Sequence, residues 1–223
     1  MTPGWPTTRF GRVVQLVCGL LVSSVGIWLT IRAGLGVASW EVLHIALAGR
    51  FEIGIGTASM LVGAVLVVLV GLLGVRPGVG TVLNVLVIGI ALNLLLATSL
   101  LDTLPSQGIA ERLVVLLIGI PVFAVGCAVY VGAHLGPGPR DGLMLALHLR
   151  LPLGVGTARV VSEGTGLGLG WLLGGPAGLG TVLFVVLAGP SVALAFRWLR
   201  LRPLPGSALL PGPDWRRRSR EPR

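Results

Sequence analysis

The residues best suited to chemistry are a few charged side chains within otherwise apolar sequence. Glu163 lies in the apolar stretch 157–175, and Arg159 stands four residues before it. Residues four apart share a helix face, so the two side chains are predicted to pair. An ionisable group at membrane depth is costly and must face a polar interior. Glu163 is therefore the best candidate for ion or proton coupling. The alternative is that it forms a pair with Arg159 at the membrane surface.

A second charged group lies in the break 136–142, where Arg140 and Asp141 are adjacent and flanked by glycine and proline. Glu41 stands one hundred residues before Asp141. Proline and glycine on both sides fix the backbone, which favours a defined site and makes Glu41 the predicted partner of Arg140. The alternative is a headgroup-level loop whose charges are screened and contribute little.

Four Gly-x-Gly-Thr blocks each end just before an apolar stretch. Their threonines are Thr57, Thr81, Thr157 and Thr181. Two interpretations stay open. Glycine permits a tight turn and threonine caps the helix start. Alternatively, the free N–H groups and the positive dipole end of each helix contact an anionic substrate.

The composition predicts a membrane protein. The chain is 54% hydrophobic and 11% charged, with a mean hydropathy of +0.94, whereas soluble domains carry about 25% charged residues. Apolar segments long enough to cross a ~30 Å hydrocarbon core recur along the chain. These segments are 12–32, 57–75, 81–101, 112–133, 157–175 and 181–200. Two shorter stretches, 39–50 and 139–150, are predicted to be interfacial or re-entrant helices.

The sequence also repeats itself at an offset of one hundred residues. The block 54–58 matches 154–158, and 78–83 matches 178–183, without a gap. Each copy holds three predicted spans, an odd number, so the second copy is expected to insert upside down. The predicted fold is all-α: a polytopic bundle of about six spans built from two inverted three-helix repeats at 11–102 and 109–201.

Charge placement predicts the orientation. The chain has 17 arginines and no lysine. Most of the excess positive charge falls in the segment 197–223, which ends in an arginine-rich tail, 202–223, predicted to be disordered. With this tail and the segment 1–10 in the cytoplasm, the arginines follow the positive-inside rule in a bacterial inner membrane. The tail is expected to meet anionic lipid headgroups, which argues against nucleic acid as its partner. Cys18 and Cys127 lie in apolar sequence, so neither a metal nor a cofactor is predicted.

Three sequence blocks resemble one family of bacterial membrane proteins. They are Gly136-Pro-Gly-Pro-Arg-Asp-Gly-Leu-Met144, the Gly-x-Gly-Thr-x-Arg block 154–159 with Glu163, and the Gly-x-Gly-Thr-x-Leu block 178–183 followed by Gly189-Pro190. They are similar to the YczE-type branch of the YczE/YyaS/YitT proteins over about residues 10–200. The resemblance implies a multi-spanning membrane protein. It assigns no activity and no catalytic role to the matched positions Arg140, Asp141, Arg159 and Glu163.

Together these patterns favour a permease or secondary transporter of a small molecule or ion, with its site between the two halves and with 36–42 and 136–142 as gates. The alternative is a non-transporting scaffold or regulator of a partner protein. A cavity around Glu163 lined by both halves would favour transport, and a closed core would favour the scaffold. An enzyme is not predicted, because the sequence presents no nucleophile–base pair or metal cluster. The patterns specify no oligomeric state.

Overall fold

The computed structural model describes residues 8–201, and in this range the protein is built of helices and turns. The α-helices are α1 (Arg9–Ala33), α2 (Ser39–Phe51), α3 (Ile55–Leu72), α4 (Val79–Leu96), α5 (Ile109–Val131), α6 (Pro139–Arg150), α7 (Val155–Leu172) and α8 (Leu179–Trp198). The all-α prediction is confirmed. The predicted arginine-rich tail, 202–223, and most of the predicted segment 1–10 lie outside the described residues.

Five of these helices, α1, α3, α4, α5 and α8, are long and apolar enough to cross a bilayer. Helix α7 has 18 residues, as α3 does, but it is less apolar because it carries Arg159 and Glu163. Helices α2 and α6, with 13 and 12 residues, rise only about 20 Å at 1.5 Å per residue. They are too short to span, in agreement with the sequence prediction for these two segments.

The helix starts recur at the offset seen in the sequence. Each of the first four helices begins one hundred residues before its counterpart in the second set. The paired first residues are Arg9 and Ile109, Ser39 and Pro139, Ile55 and Val155, and Val79 and Leu179. The Gly-x-Gly-Thr blocks determine two of these four pairs, because each block places a glycine at the N-cap position.

Helices α1 and α5 form the centre of the protein and make its most extensive helix–helix contact. Glycine permits this contact. A Cβ atom at Gly26 would lie 2.3 Å from the backbone nitrogen of Phe123, and one at Gly126 would lie 2.3 Å from the backbone nitrogen of Ser23. The two backbones therefore touch directly, as small residues allow between membrane helices.

The other helices interlock the two halves around this centre. Helix α4 packs on α1, and α8 packs on α5. The short helices cross over: α2 packs against α7 of the second half, and α6 packs against α3 of the first. Each half therefore completes the packing of the other, and the first turns of α2 and α6 are brought into the interior.

The starts of α4 and α8 dock on the turns that precede the two short helices. The backbone N–H of Gly80 donates to the carbonyl of Leu135 at 2.9 Å, and that of Gly180 donates to the carbonyl of Leu35 at 2.7 Å. A Cβ at Gly180 would lie 2.5 Å from the carbonyl oxygen of Gly36. The last glycine of these two blocks is thus required by a close backbone approach.

One helix pair breaks the correspondence between the halves. Helices α3 and α4 pack closely along their length, whereas their counterparts α7 and α8 scarcely touch. A Cβ at Gly56 would lie 1.9 Å from the carbonyl oxygen of Gly89, but Cβ atoms at the equivalent Gly156 and Gly189 would meet nothing within 4 Å. The seam between α7 and α8 is therefore open.

Candidate functional site

A cavity of about 720 Å³ lies at the middle of the bundle, beside the open seam. Both halves line it, and the lining follows the repeat. Ten pairs of lining residues are one hundred positions apart: Ser23 and Phe123, Ile27 and Cys127, Ala38 and Gly138, Ser39 and Pro139, His44 and Met144, Ser59 and Arg159, Gly63 and Glu163, Asn84 and Phe184, Val85 and Val185, and Ile88 and Ala188. Equivalent positions of the two halves therefore line the cavity.

The charges of the cavity come mainly from the second half. Arg140, Asp141, Arg159 and Glu163 all line it. Their counterparts are Trp40, Glu41, Ser59 and Gly63, of which Glu41 alone is charged. Equivalent positions of the two halves thus line the cavity, but the second half supplies most of its charged side chains.

Arg140 and Glu41 form an ion pair between the two short helices. Nη2 of Arg140 lies 2.5 Å from Oε1 of Glu41, and Nη1 lies 3.3 Å from Oε2, so the guanidinium donates to both carboxylate oxygens. The Glu41 side chain is 1% exposed and the Arg140 side chain 29% exposed. The cross-half pair predicted from the sequence is therefore present, and Arg140 keeps one side towards the cavity.

Asp141 lies beside this pair in the first turn of α6. The hydroxyl of Tyr130, at the end of α5, donates to Oδ2 of Asp141 at 3.3 Å. A Cβ at Gly138 would lie 3.4 Å from both of these oxygen atoms. Residues 137–141 of this break therefore form part of the cavity wall.

Glu163 and Arg159 project into the cavity from α7, but the ion pair predicted between them is absent. Among residues 8–201 the salt bridges within 4.0 Å are Arg32–Asp102 and Arg140–Glu41. Arg159 is exposed near the start of α7, and Glu163 is half-buried one turn further in. The Arg140 and Ser39 side chains, from α6 and α2, also lie near Glu163. Glu163 therefore has polar neighbours from other helices as well as Arg159 on its own helix.

The predicted substrate contacts at the helix starts are not supported. None of Thr57, Thr81, Thr157 and Thr181 lines the cavity. Thr81 and Thr181 are buried and accept hydrogen bonds from the N-cap N–H groups of Gly78 and Gly178. The Thr81 hydroxyl also donates to the carbonyl of Pro137 at 2.7 Å. At these two threonines the capping interpretation is correct, because protein atoms already satisfy the groups that a substrate would need.

The remaining two threonines differ from each other. The hydroxyl of Thr57 accepts a hydrogen bond from Nδ2 of Asn93 at 2.9 Å. Oδ1 of the same amide accepts from the backbone N–H of Gly56 at 2.9 Å. Asn93 of α4 thus holds the start of α3 against α4 through these two hydrogen bonds. In the second half Ala193 takes the place of Asn93, and Thr157 is exposed.

Sequence reasoning missed several cavity residues. Apart from its charges the wall is mostly apolar and aromatic, with Phe123 and Phe184 packed at a centroid distance of 5.1 Å. His44 also lines the cavity while only 2% exposed, and its Nδ1 has no hydrogen-bond partner among the described residues. The repeat could have identified some of them. The residues one hundred positions before Arg159 and Glu163 are Ser59 and Gly63, and both line the cavity.

Comparison with known proteins places the chain in one family. Residues 10–197 match the model of a family of unknown function, DUF6198. An uncharacterised protein of Haemophilus influenzae is 37% identical over 186 residues, which is 83% of this chain and 84% of the relative. The uncharacterised membrane protein YczE of Bacillus subtilis is 32% identical over 77% of this chain and 79% of its own length.

A more distant relative is the uncharacterised protein YyaS of Bacillus subtilis, which is 26% identical over 77% of this chain and 85% of its own length. No solved structure gives a significant match. The apolar helices and the named membrane relative agree with the composition, so this is an integral membrane protein. The resemblance seen in the sequence is confirmed: the chain is related to YczE and YyaS, and it belongs to the DUF6198 family.

Proposed function

We propose that the protein is a permease or secondary transporter of a small solute and that the central cavity is its binding site. The observation that carries this proposal is the position of the cavity: it lies between the halves, and repeat-related residues line it. Its volume of about 720 Å³ falls within the range of about 300–1,000 Å³ typical of small-molecule sites. A scaffold has no need of such a space, and this favours transport over the alternative.

The proposed transporter has six spans in two inverted repeats. Helix α7 is the sixth span, since it matches α3 in length and position and turns its two charges towards the cavity. Three spans in each half reverse the direction of the second copy. Helices α2 and α6 are then re-entrant helices whose first turns meet near the middle of the membrane. Short interior helices of this kind form binding sites in inverted-repeat transporters.

In the proposed topology both termini are cytoplasmic and the membrane is the bacterial inner membrane. The inner ends then carry arginines such as Arg12, Arg76, Arg150 and Arg197. The outer ends carry fewer, namely Arg32, Arg50 and Arg112. This distribution follows the positive-inside rule. The tail 202–223 would contact anionic headgroups on the same side.

In this mechanism Glu163 couples the solute to a proton or cation. It is half-buried in the cavity without an ion-pair partner within 4.0 Å in the described chain. A carboxylate in such a place changes its charge with occupancy, because charge inside a membrane must be balanced. The Arg140–Glu41 pair holds the two re-entrant helices together next to it and would transmit their movement.

The test is solute transport by the purified full-length protein in proteoliposomes, read as charge movement on a solid-supported membrane and as a pH change inside the vesicles. The second readout is needed because one-for-one exchange of a cation and a proton moves no net charge. A panel of small anionic, cationic and neutral solutes is applied with and without a pH gradient. We expect at least one solute to produce a current or an internal pH change that Glu163→Gln abolishes. Glu52→Gln, an exposed acid at the end of α2, is the matched control and should keep this signal. If no solute produces a Glu163-dependent signal of either kind, the protein is not a transporter of this kind.

A further inference from the structure

We infer that the substrate is an apolar organic cation that enters the cavity from the bilayer through the open seam between α7 and α8. This inference rests on the proposed function and specifies its substrate class. Three independent features carry it: the charge balance of the cavity, the chemistry of its wall and the state of the seam.

The charge balance leaves the site one positive charge short. The cavity and the ion pair behind it contain three carboxylates and two guanidinium groups. The carboxylates belong to Glu41, Asp141 and Glu163, and the guanidinium groups to Arg140 and Arg159. The excess negative charge is not matched by another basic side chain of the described cavity wall. A monovalent cation or a proton neutralises it, whereas an anion would increase the imbalance at membrane depth.

His44 does not correct this deficit. It is 2% exposed and its Nδ1 has no hydrogen-bond partner in the described residues. A buried imidazolium without an acceptor, next to the Arg140 guanidinium, would be strongly unfavourable, so His44 is neutral. A neutral His44 leaves the excess negative charge of the cavity uncompensated.

The wall suits the apolar part of such a cation. Phe123 and Phe184 meet at 5.1 Å in a tilted pair, and Tyr130 and Phe196 also line the cavity. Aromatic faces attract cations through their quadrupole, and the attraction is stronger where water is excluded. An inorganic ion would leave most of this large apolar volume unfilled. The wall therefore favours an organic cation with a bulky apolar body.

The seam provides the route, and the sequence explains why it is open in one half. Three contacts close the α3–α4 seam. Gly56 touches Gly89, the Asn93 amide binds the start of α3, and a Cβ at Gly63 would lie 2.9 Å from the Val85 side chain. At the equivalent positions of the second half, the contact between the glycines is lost and Ala193 and Glu163 replace Asn93 and Gly63. Ala193 cannot form the hydrogen bonds that Asn93 makes to α3, and the Glu163 side chain is too large to let α7 approach α8.

The open seam leads directly to the site. Val160, Gly164 and Leu167 of α7 and Val185, Gly189 and Val192 of α8 line the cavity along it. These residues carry no charge, so an apolar solute dissolved in the acyl chains meets no polar barrier there. A hydrophilic solute would instead have to enter from water.

The first test is direct binding of tritiated tetraphenylphosphonium to the purified full-length protein. We expect saturable binding that weakens by up to about tenfold for each unit of lowered pH, because a proton and the cation compete for Glu163. Glu163→Gln should weaken binding at least about tenfold and flatten the pH dependence, whereas Glu163→Asp retains both. Glu52→Gln is the control and should bind normally. Tetraphenylborate, tested separately by thermal stabilisation, matches the probe in shape with the opposite charge and should not stabilise the protein.

Several other titratable or charged groups share the cavity with Glu163 and can contribute to the pH dependence. They are His44 on α2, Cys127 and Tyr130 on α5, Arg140 and Asp141 on α6, and Arg159 on α7, together with Glu41, the ion-pair partner of Arg140. If Glu163→Gln removes tetraphenylphosphonium binding but Asp141→Asn removes its pH dependence, the competing proton resides on Asp141. That result overturns the assignment to Glu163.

The second test fills the seam. Gly189→Trp places an indole in the open space of the seam, where a Cβ meets nothing within 4 Å. It should slow tetraphenylphosphonium uptake into proteoliposomes, counted above the uptake into protein-free liposomes, by at least about tenfold. Gly168→Trp also projects into open space but lies outside the cavity wall, so it is the matched control and should transport normally. Unchanged protein-dependent uptake by a folded Gly189→Trp protein would refute entry through the seam.

The outcomes separate this inference from the proposed function. If anionic or neutral solutes give Glu163-dependent currents or internal pH changes and tetraphenylphosphonium neither binds nor moves, the protein is a transporter but the substrate class is wrong. If no solute of any class gives either signal, the proposed function itself fails.

Discussion

The Arg140–Glu41 pair allows an asymmetric prediction about stability. Breaking a buried ion pair by removing one partner costs about 3–5 kcal/mol, because the remaining charge is left buried without compensation. Arg140→Gln leaves Glu41, which is 1% exposed, so its cost should be near the upper end, about 5 kcal/mol. Glu41→Gln leaves Arg140, which is 29% exposed to the cavity, so its cost should be near the lower end, about 3 kcal/mol.

The double variant Glu41→Gln/Arg140→Gln removes both charges and leaves two amides that can bond to each other. Its cost should therefore fall below the sum of the single costs by at least about 2 kcal/mol, a coupling expected of groups in direct contact. The assay is equilibrium unfolding of the purified protein in mixed micelles titrated with sodium dodecyl sulfate, read by tryptophan fluorescence.

The Arg32–Asp102 pair supplies the control, because its aspartate side chain is 50% exposed. Asp102→Asn should cost less than about 1 kcal/mol, as for exposed pairs in general. Additive costs for the two central substitutions, or a smaller cost for Arg140→Gln than for Glu41→Gln, would refute this account of the pair.

Two further predictions concern packing and helix starts, and both use the same unfolding assay. Gly26→Ala should destabilise the protein by about 1–3 kcal/mol, since its Cβ would overlap the backbone of α5. Gly168→Ala, whose Cβ meets open space, should be neutral or should stabilise by up to about 1 kcal/mol; equal effects of the two changes would contradict the close crossing. Thr81→Val removes two hydrogen bonds from a buried site and should cost about 1–3 kcal/mol. Thr157→Val, at an exposed position, should change stability by no more than about 0.5 kcal/mol, and a similar loss at both threonines would argue against the capping role.

The sequence predicts the helices well because the signals for them are local. Apolar length identifies the candidate spans, and the Gly-x-Gly-Thr blocks mark where α3, α4, α7 and α8 begin. The repeat then supplies the correspondence between the halves, and the residue types alone suggest the Arg140–Glu41 pair. The helix starts, the candidate spans and the repeat all depend on residue types and their spacing along the chain, and both can be read from a single sequence.

The failed predictions concern tertiary competition. Glu163 has a local partner available in Arg159, but the fold brings Arg140 and Ser39 to it from other helices. A substrate contact at Thr81 is not supported for a similar reason, because the carbonyl of Pro137 already accepts a hydrogen bond from the Thr81 hydroxyl. The open seam follows from the exchange of Asn93 for Ala193. That exchange becomes meaningful only once Asn93 is seen to bind Gly56 on the neighbouring helix.

The proposed transport pathway requires the two halves to insert upside down relative to each other around the cavity. Side-specific labelling of single cysteines in intact cells measures this orientation, in a protein whose Cys18 and Cys127 are replaced by alanine. Arg76→Cys and Pro176→Cys are equivalent, exposed positions one hundred residues apart in the turns after α3 and α7. A membrane-impermeant maleimide added outside should label the cysteine at 176 and spare the one at 76 until the cells are opened. Labelling of both cysteines from the same side would contradict the inverted arrangement and, with it, the proposed transport pathway.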